Sequence, residues 1–175
     1  MSNKKLQLEG ENMIRLAEMQ NVPAILAIFD QARDFMRANG NPTQWPASYP
    51  NRQLVEGDIQ ADNCYVCEEA GQIVGTFALI IGPDPTYQQI EGAWHFTEPY
   101  GTLHRLASNG QVKGLAHRCF DFCLQQISYL RIDTHADNHP MQAAIRHYGF
   151  SQCGTIYLPD GSPRLAYDYQ ALCQL

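Results

Sequence analysis

The sequence predicts an α/β fold, an α+β mixed sheet of about seven strands with four helices on its two faces. Three observations predict it. Short β-type apolar runs alternate with stretches of helical periodicity, Gly and Pro punctuate nearly every junction, and the composition, 45% hydrophobic and 17% charged, is that of an ordinary globular chain. At 175 residues the chain fits one domain, since domains typically hold roughly 100–200 residues.

Residues 1–12 are polar and aperiodic, so a loose leader is expected before a single domain over 13–175. A first strand covers 14–17. Val22-Pro23 opens a helix whose apolar positions Ile25, Ile28, Phe29, Ala32, Phe35 and Met36 fall on one face, and Gly40 closes it. Residues 39–50 form a Pro- and Gly-rich loop carrying Trp45 and Tyr49, followed by a short helix over 52–60. Residues 64–69 and 73–81 make a hairpin around Ala70-Gly71-Gln72. Residues 82–94 read as a longer connection and 102–108 as the next strand. After the Asn109-Gly110 turn, Leu115, Cys119, Phe122 and Cys123 trace a helix over 112–128. A strand over 129–134, a helix over 138–147 stopped by Gly149, and strands over 151–158 and 163–172 around Pro159-Asp160-Gly161 complete the order.

A formal net charge of -6 and the absence of Lys/Arg runs argue against nucleic acid as a partner. No apolar run is long enough to span a membrane, and the polar N-terminus carries no signal core, so a cytoplasmic protein is expected. The six cysteines are then expected to be reduced. Cys64-Tyr65-Val66-Cys67 has metal-knuckle spacing but no matching second pair, which favours buried thiols and no metal.

Residues 108–116 join a strand to a helix start, where free backbone N–H groups and the positive end of the helix dipole gather. Gly110 and Gly114 permit close approach and Lys113 adds charge, so the segment suits a pyrophosphate, with a ligand-free Gly-capped loop as the plain alternative. Gln111-Val112-Lys113-Gly114-Leu115-Ala116 matches the pattern Q/R-x-x-G-x-G/A. Asn138, Ala144 and Gly149-Phe150 follow a looser N...A...GF pattern. In these motifs, and across residues 13–172, the chain resembles the GNAT superfamily of N-acetyltransferases.

The resemblance implies acetyl-CoA as acyl donor, held by Leu106, Ala107, Ser108, Asn109, Gly110, Gln111, Val112, Lys113, Gly114, Leu115, Ala116 and Asn138, with no metal. It implies transfer to a small-molecule or peptide amine in a ternary complex, and it leaves a homodimer open. The chain also departs from the family. The loop before the signature is shorter by about two residues at the strand-to-helix junction. The position where many members carry an acidic Tyr is Ile145, and Tyr148, about a turn further on, does not reach the same point.

Two histidines are candidate catalytic residues. Strand alternation puts Thr102, His104, Leu106 and Ser108 on one face and Leu103, Arg105 and Ala107 on the other. If the first face meets the acetyl group, His104 is a base; otherwise it is a hydrogen-bonded core histidine. His135 is the second candidate. It belongs to the run Asp133, His135, Asp137, His139, whose alternating carboxylates and imidazoles suit a divalent ion, although Asp137 or Asn138 serving as a helix cap explains them more simply. His95 and His117 read as surface or packing residues. Trp45 and Trp94 are candidates for the walls of an acceptor site. Three other functions stay open: an inactive acyl-CoA-binding protein, a metal-dependent hydrolase using 133–139, and a partner-binding module.

Overall fold

In a computed structural model describing residues 13–172, the chain runs β1 (Met13–Leu16), α1 (Val22–Ala38), α2 (Arg52–Gln60), β2 (Cys64–Glu69), β3 (Gln72–Ile81), β4 (Glu91–Gly92), β5 (Gly101–Ser108), α3 (Leu115–Gln126), β6 (Tyr129–Thr134), α4 (His139–Tyr148), β7 (Ser151–Tyr157) and β8 (Pro163–Gln170). The 1–12 leader and Cys173 lie outside the described residues. All eight strands share one sheet in the order β1-β2-β3-β5-β6-β8-β7-β4, antiparallel except for β5 beside β6. The mixed sheet is as expected, with one strand more than the periodicity indicates. The extra strand, β4, pairs Glu91 with Thr155 and Gly92 with Gly154. Two residues carry no legible period, and this pair exists because both glycines let the backbones close together. A Cβ on Gly92 would lie 2.2 Å from the Cys153 carbonyl oxygen, and one on Gly154 2.0 Å from that of Glu91.

Helices cover both faces. Val22, Ile25, Ile28, Phe29 and Ala32 of α1 and Val55 and Ile59 of α2 pack on Val66 and Ala107. On the other face Leu115, Cys119, Phe120 and Cys123 of α3 and Ile145 of α4 pack on Val74, Phe77, Leu103, Ile132 and Tyr167. Cys64 belongs to the first core and Cys67 to the second, because residues three apart on a strand face opposite ways, so this pair cannot close on one ion. Cys64, Cys67, Cys119, Cys123 and Cys153 are buried free thiols.

The sheet opens at β5. It pairs with β6 only through Gly101↔Leu130, Thr102↔Arg131 and Leu103↔Ile132. On its other side, Ala78 pairs with His104 but Thr76 pairs with Ala107, so two steps along β3 span three along β5. The surplus residue is a β-bulge, and Arg105 there has φ +56°. The bulge overturns the expected alternation: Leu103 and Leu106 pack toward α3 and α4, whereas Ala107 packs toward α1 and α2. The Arg105 guanidinium donates to Asp58 on α2, tying the bulge to the helical layer.

Helix α3 starts at Leu115 rather than at 112, because its N-cap Gly114 is left-handed (φ +73°) and halts helical geometry in the N-terminal direction. Asn138 caps α4, its Oδ1 accepting from Met141 N, with Pro140 in the first turn and Gly149 (φ +120°) ending it. Gly154→Ala should therefore destabilise the β4–β7 pair, by steric conflict and by its φ of +149°, by about 1–3 kcal/mol. Denaturant unfolding of the variant against wild type measures this, and an unchanged midpoint contradicts the close approach.

Candidate active site

The 109–114 turn is built from its own side chains. Ser108 Oγ accepts from Gly110 N (3.2 Å) and Asn109 Oδ1 from Gln111 N (3.1 Å), while Asn109 N donates to Val74 O. The next backbone N–H groups, from Val112 through His117, donate to no group among the described residues. These are the unpaired donors of a helix start, where the dipole is positive, a setting that suits an anion. Beside them lies a cavity of about 300 Å³ between α1, the end of β5 and α4. Leu106, Ala107, Ser108, Asn109, Gly110, Ala116 and Asn138 line it. Its lining is largely apolar, with Ala32, Phe35, Met36, Pro140, Met141 and Ala144 adding to it.

A second cavity of about 600 Å³ opens where β5 and β6 part, and the two share Met36, Leu106, Asn138 and Met141. Loop 39–50 roofs the larger one. Gln44 Oε1 accepts from Asn41 Nδ2 (2.7 Å) and Asn138 Nδ2 (2.9 Å), and Gln44 O from Arg164 Nη2 (3.1 Å). Trp45, edge-on to Phe29, fixes the loop and presents a wall to the cavity.

His104 lines this cavity with its Nε2 2.8 Å from Asp84 Oδ2, while Asp84 Oδ1 accepts from Thr86 N (2.9 Å). Burial acts to raise the Asp84 pKa, but the hydrogen bond and charge of His104 and the Thr86 N–H outweigh it and hold the carboxyl below its ordinary value. An ionised carboxylate only accepts, so Nε2 is the nitrogen that donates to it, and in the neutral imidazole the lone pair sits on Nδ1, an arrangement suited to a base. Asp133 lines the same cavity, and burial raises its pKa against the charges of His104 and Arg164.

The Acetyltransferase (GNAT) family model matches residues 26–150. This chain belongs to the GNAT acetyltransferase family. A GNAT-family acetyltransferase of Streptococcus agalactiae 2603 is 32% identical, with 92% of this chain and 96% of that one covered and a TM-score of 0.84. One from Listeria monocytogenes 4b F2365 is 17% identical over 91% and 95%, with a TM-score of 0.68, and shares the fold. No match is found among curated protein sequences.

In this GNAT fold, the residues singled out from sequence separate into distinct places. Gln111, Val112, Lys113 and Gly114 form the turn outside the cavities, and the Leu115 side chain is core (4% exposed), leaving only its backbone N–H at the helix start. Both ends of the Asn138 amide are engaged, by Met141 N and Gln44. His135 lines the larger cavity, but its Nδ1 accepts from Asp137 N (3.0 Å) and its Nε2 faces Thr43 Oγ1 (3.4 Å), which leaves no free lone pair for a base. Among the described residues, the 133–139 run gathers no three ligand atoms close enough to share an ion. Ile145 is fully buried. Tyr148 donates to Asp121 (2.6 Å) away from both cavities, and burial and Asp121 raise its pKa.

Trp94 does not reach the cavity. It packs on Tyr87, and the Arg131 guanidinium lies 4.2 Å from its ring centre and 3.9 Å from that of Tyr100. His95 has a definite role in this lock, its Nδ1 2.7 Å from Asp168 Oδ1 and 3.3 Å from Cys153 Sγ. Among the described residues these three are the one group placed to share a metal ion. One nitrogen serving both partners is not a nucleophile–base–acid relay, and burial and the Asp168 hydrogen bond push the Cys153 thiol up to about 12. Asp84 and Arg164 are cavity-side residues that sequence reasoning passed over, and Asp133 entered it only as a member of the 133–139 run. For Asp84 the only local signal was Asp-Pro starting a turn, and its partner His104 is twenty residues away.

No helix among the described residues is long and apolar enough to cross a membrane. Burial first, and then the charge of Arg164, lower the His135 pKa, with Asp137 opposing. The unfolded state, whose histidine titrates near ~6.5, therefore binds more protons between the two pKa values, and stability falls as pH drops through that window. His135→Gln removes this penalty. Its unfolding midpoint should decline less than that of wild type between about pH 7 and 5, and parallel declines would refute the assignment.

Proposed function

We propose that the chain is an N-acetyltransferase that moves an acetyl group from acetyl-CoA to a primary amine by direct attack in a ternary complex. The observation that carries this reading is the meeting of the two cavities along the bulged part of β5, one beside the unpaired N–H groups at the start of α3 and the other holding His104 with Asp84. The free donors and the positive φ of Gly110 and Gly114 fit a pyrophosphate, and the apolar groove beside Ala107, Ala116 and Ala144 fits a slender arm. Asn138 contributes to that arm through its position between the cavities, its amide remaining the clasp on Gln44.

The amine must lose a proton as its nitrogen bonds to the thioester carbon. His104 Nδ1 receives that proton, and Asp84 stabilises the resulting imidazolium. The C–S bond breaks with its electron pair on sulfur. A thiol titrates near ~8.5, so the thiolate leaves without an obligatory acid, which makes Ile145 at the usual tyrosine position compatible with turnover. The bulge supplies positioning, because Arg105 and Leu106 pair with no residue of β3 and both face the larger cavity.

Two measurements test this. Gly114→Glu, which places a carboxylate among the free N–H groups, should abolish the acetyl-CoA binding that wild type shows in calorimetry. Wild type that ignores acetyl-CoA overturns the proposal. His104→Gln should lower kcat by about 10²–10⁴-fold while leaving the Kd for acetyl-CoA unchanged. Binding without turnover of any amine by wild type points instead to a catalytically inactive acyl-CoA-binding protein, the reading that Ile145 favours.

A further inference from the structure

Arg164 on β8 is 7% exposed and stands in the wall of the larger cavity. Its guanidinium donates through Nη1 to Pro163 O (2.9 Å) and through Nη2 to Gln44 O (3.1 Å), two neutral carbonyls. It forms no ion pair among the described residues, whereas Arg15, Arg105 and Arg118 each have a carboxylate. A guanidinium offers five N–H donors in a planar fork, so most of its capacity is unspent. Burial lowers its pKa, as expected for a cation that no partner compensates fully, with Asp133 and Asp160 opposing from a distance. A buried charge in this condition is costly unless something supplies the missing anion, and a carboxylate matches the fork bidentately.

Groups of another character share this space. His104, held by Asp84, lines it, and so does Asp133 on β6, whose Cα partner Ala166 is two residues along β8 from Arg164, so the cavity presents a carboxyl and an imidazole together with the guanidinium. Tyr87 and Thr134, 2% and 1% exposed, also line it, and their hydroxyls bond to no group among the described residues. A volume of about 600 Å³ suits a small molecule.

Building on the acetyltransferase reading, we infer that the acceptor is a small amine that also carries a carboxylate, of amino-acid type, with Arg164 binding the carboxylate and Asp133 and His104 receiving the amine. Arg164 discriminates against plain amines and polyamines, which would leave its fork without a carboxylate and bring a second cation into the same cavity. Arg164 is a specificity residue and takes no proton in the transfer.

The test combines turnover with direct binding. CoA release is followed with the twenty standard amino acids, and the best of them is compared with its carboxamide and its decarboxylated amine. Wild type should prefer the amino acid by at least about 10²-fold in kcat/KM. Arg164→Gln should reduce that preference below about tenfold, through KM, with an unchanged Kd for acetyl-CoA. Arg164→Lys, which keeps the charge but not the fork, should fall between. If Arg164→Gln fails to fold, the acid-to-amide ratio of wild type and Arg164→Lys decides alone. Equal use of acid and amide, or acetylation only of amines lacking a carboxylate, overturns the inference while leaving acetyl transfer intact. Amino-acid binding in calorimetry that depends on Arg164, in a protein that ignores acetyl-CoA, upholds the subsite and overturns the transfer reading. Absence of amino-acid binding and turnover alike overturns the inference.

Discussion

The site depends on one irregularity, the extra residue in β5. A regular strand would have continued its pairing beside β6 and closed the sheet, but beyond Leu103 and Ile132 the two strands part. A bulge alone is a weak device, since its unpaired backbone gains nothing locally. The Arg105–Asp58 pair compensates by fastening the irregular segment to α2, in a setting where both side chains are largely removed from water. The two cavities follow from this separation, and so does the side each part of β5 serves. Leu103 and Leu106 serve the core under α3 and α4, and Ala107 the core under α1 and α2.

Once the sheet is open, its edges need holding. Gln44 does this on one side, gathering Asn41, Asn138 and Arg164 around a single loop residue. On the other side Arg131 lies over the rings of Trp94 and Tyr100, while Asp168 accepts from His95 and from the Tyr129 hydroxyl. These contacts bring Asp84 to His104 by way of the connection between β3 and β5. They are cation–π contacts and hydrogen bonds between segments far apart in sequence, each modest in strength, which gain from being buried together.

Electrostatically the larger cavity is asymmetric. Asp84 is kept ionised by its donors, Asp133 is pushed toward protonation by burial, and Arg164 is buried against neutral carbonyls. Such arrangements are unfavourable for the empty protein and are tolerated where a bound molecule completes them. Beside the smaller cavity the positive potential comes from backbone, through N–H groups that no side chain caps, in a turn that the left-handed Gly114 shapes.

The sequence by itself determined the family, the mixed sheet with its four helices, and the glycine turn before α3, because each is written in local terms: an apolar period, a capping residue, a glycine at a positive φ. Nearly every strand and helix was legible to within a few residues for that reason. His104 was legible as a candidate base, but its partner Asp84 was not, since a turn and aromatic contacts deliver that carboxylate from another segment. His135 was legible in the same way and loses its part because Asp137 N occupies its lone pair. Only the tertiary structure decided these matters, together with the short β4, the broken alternation at Arg105 and the unpaired charge of Arg164. All are set by contacts between residues distant in the chain, and neither periodicity nor spacing records which distant groups meet.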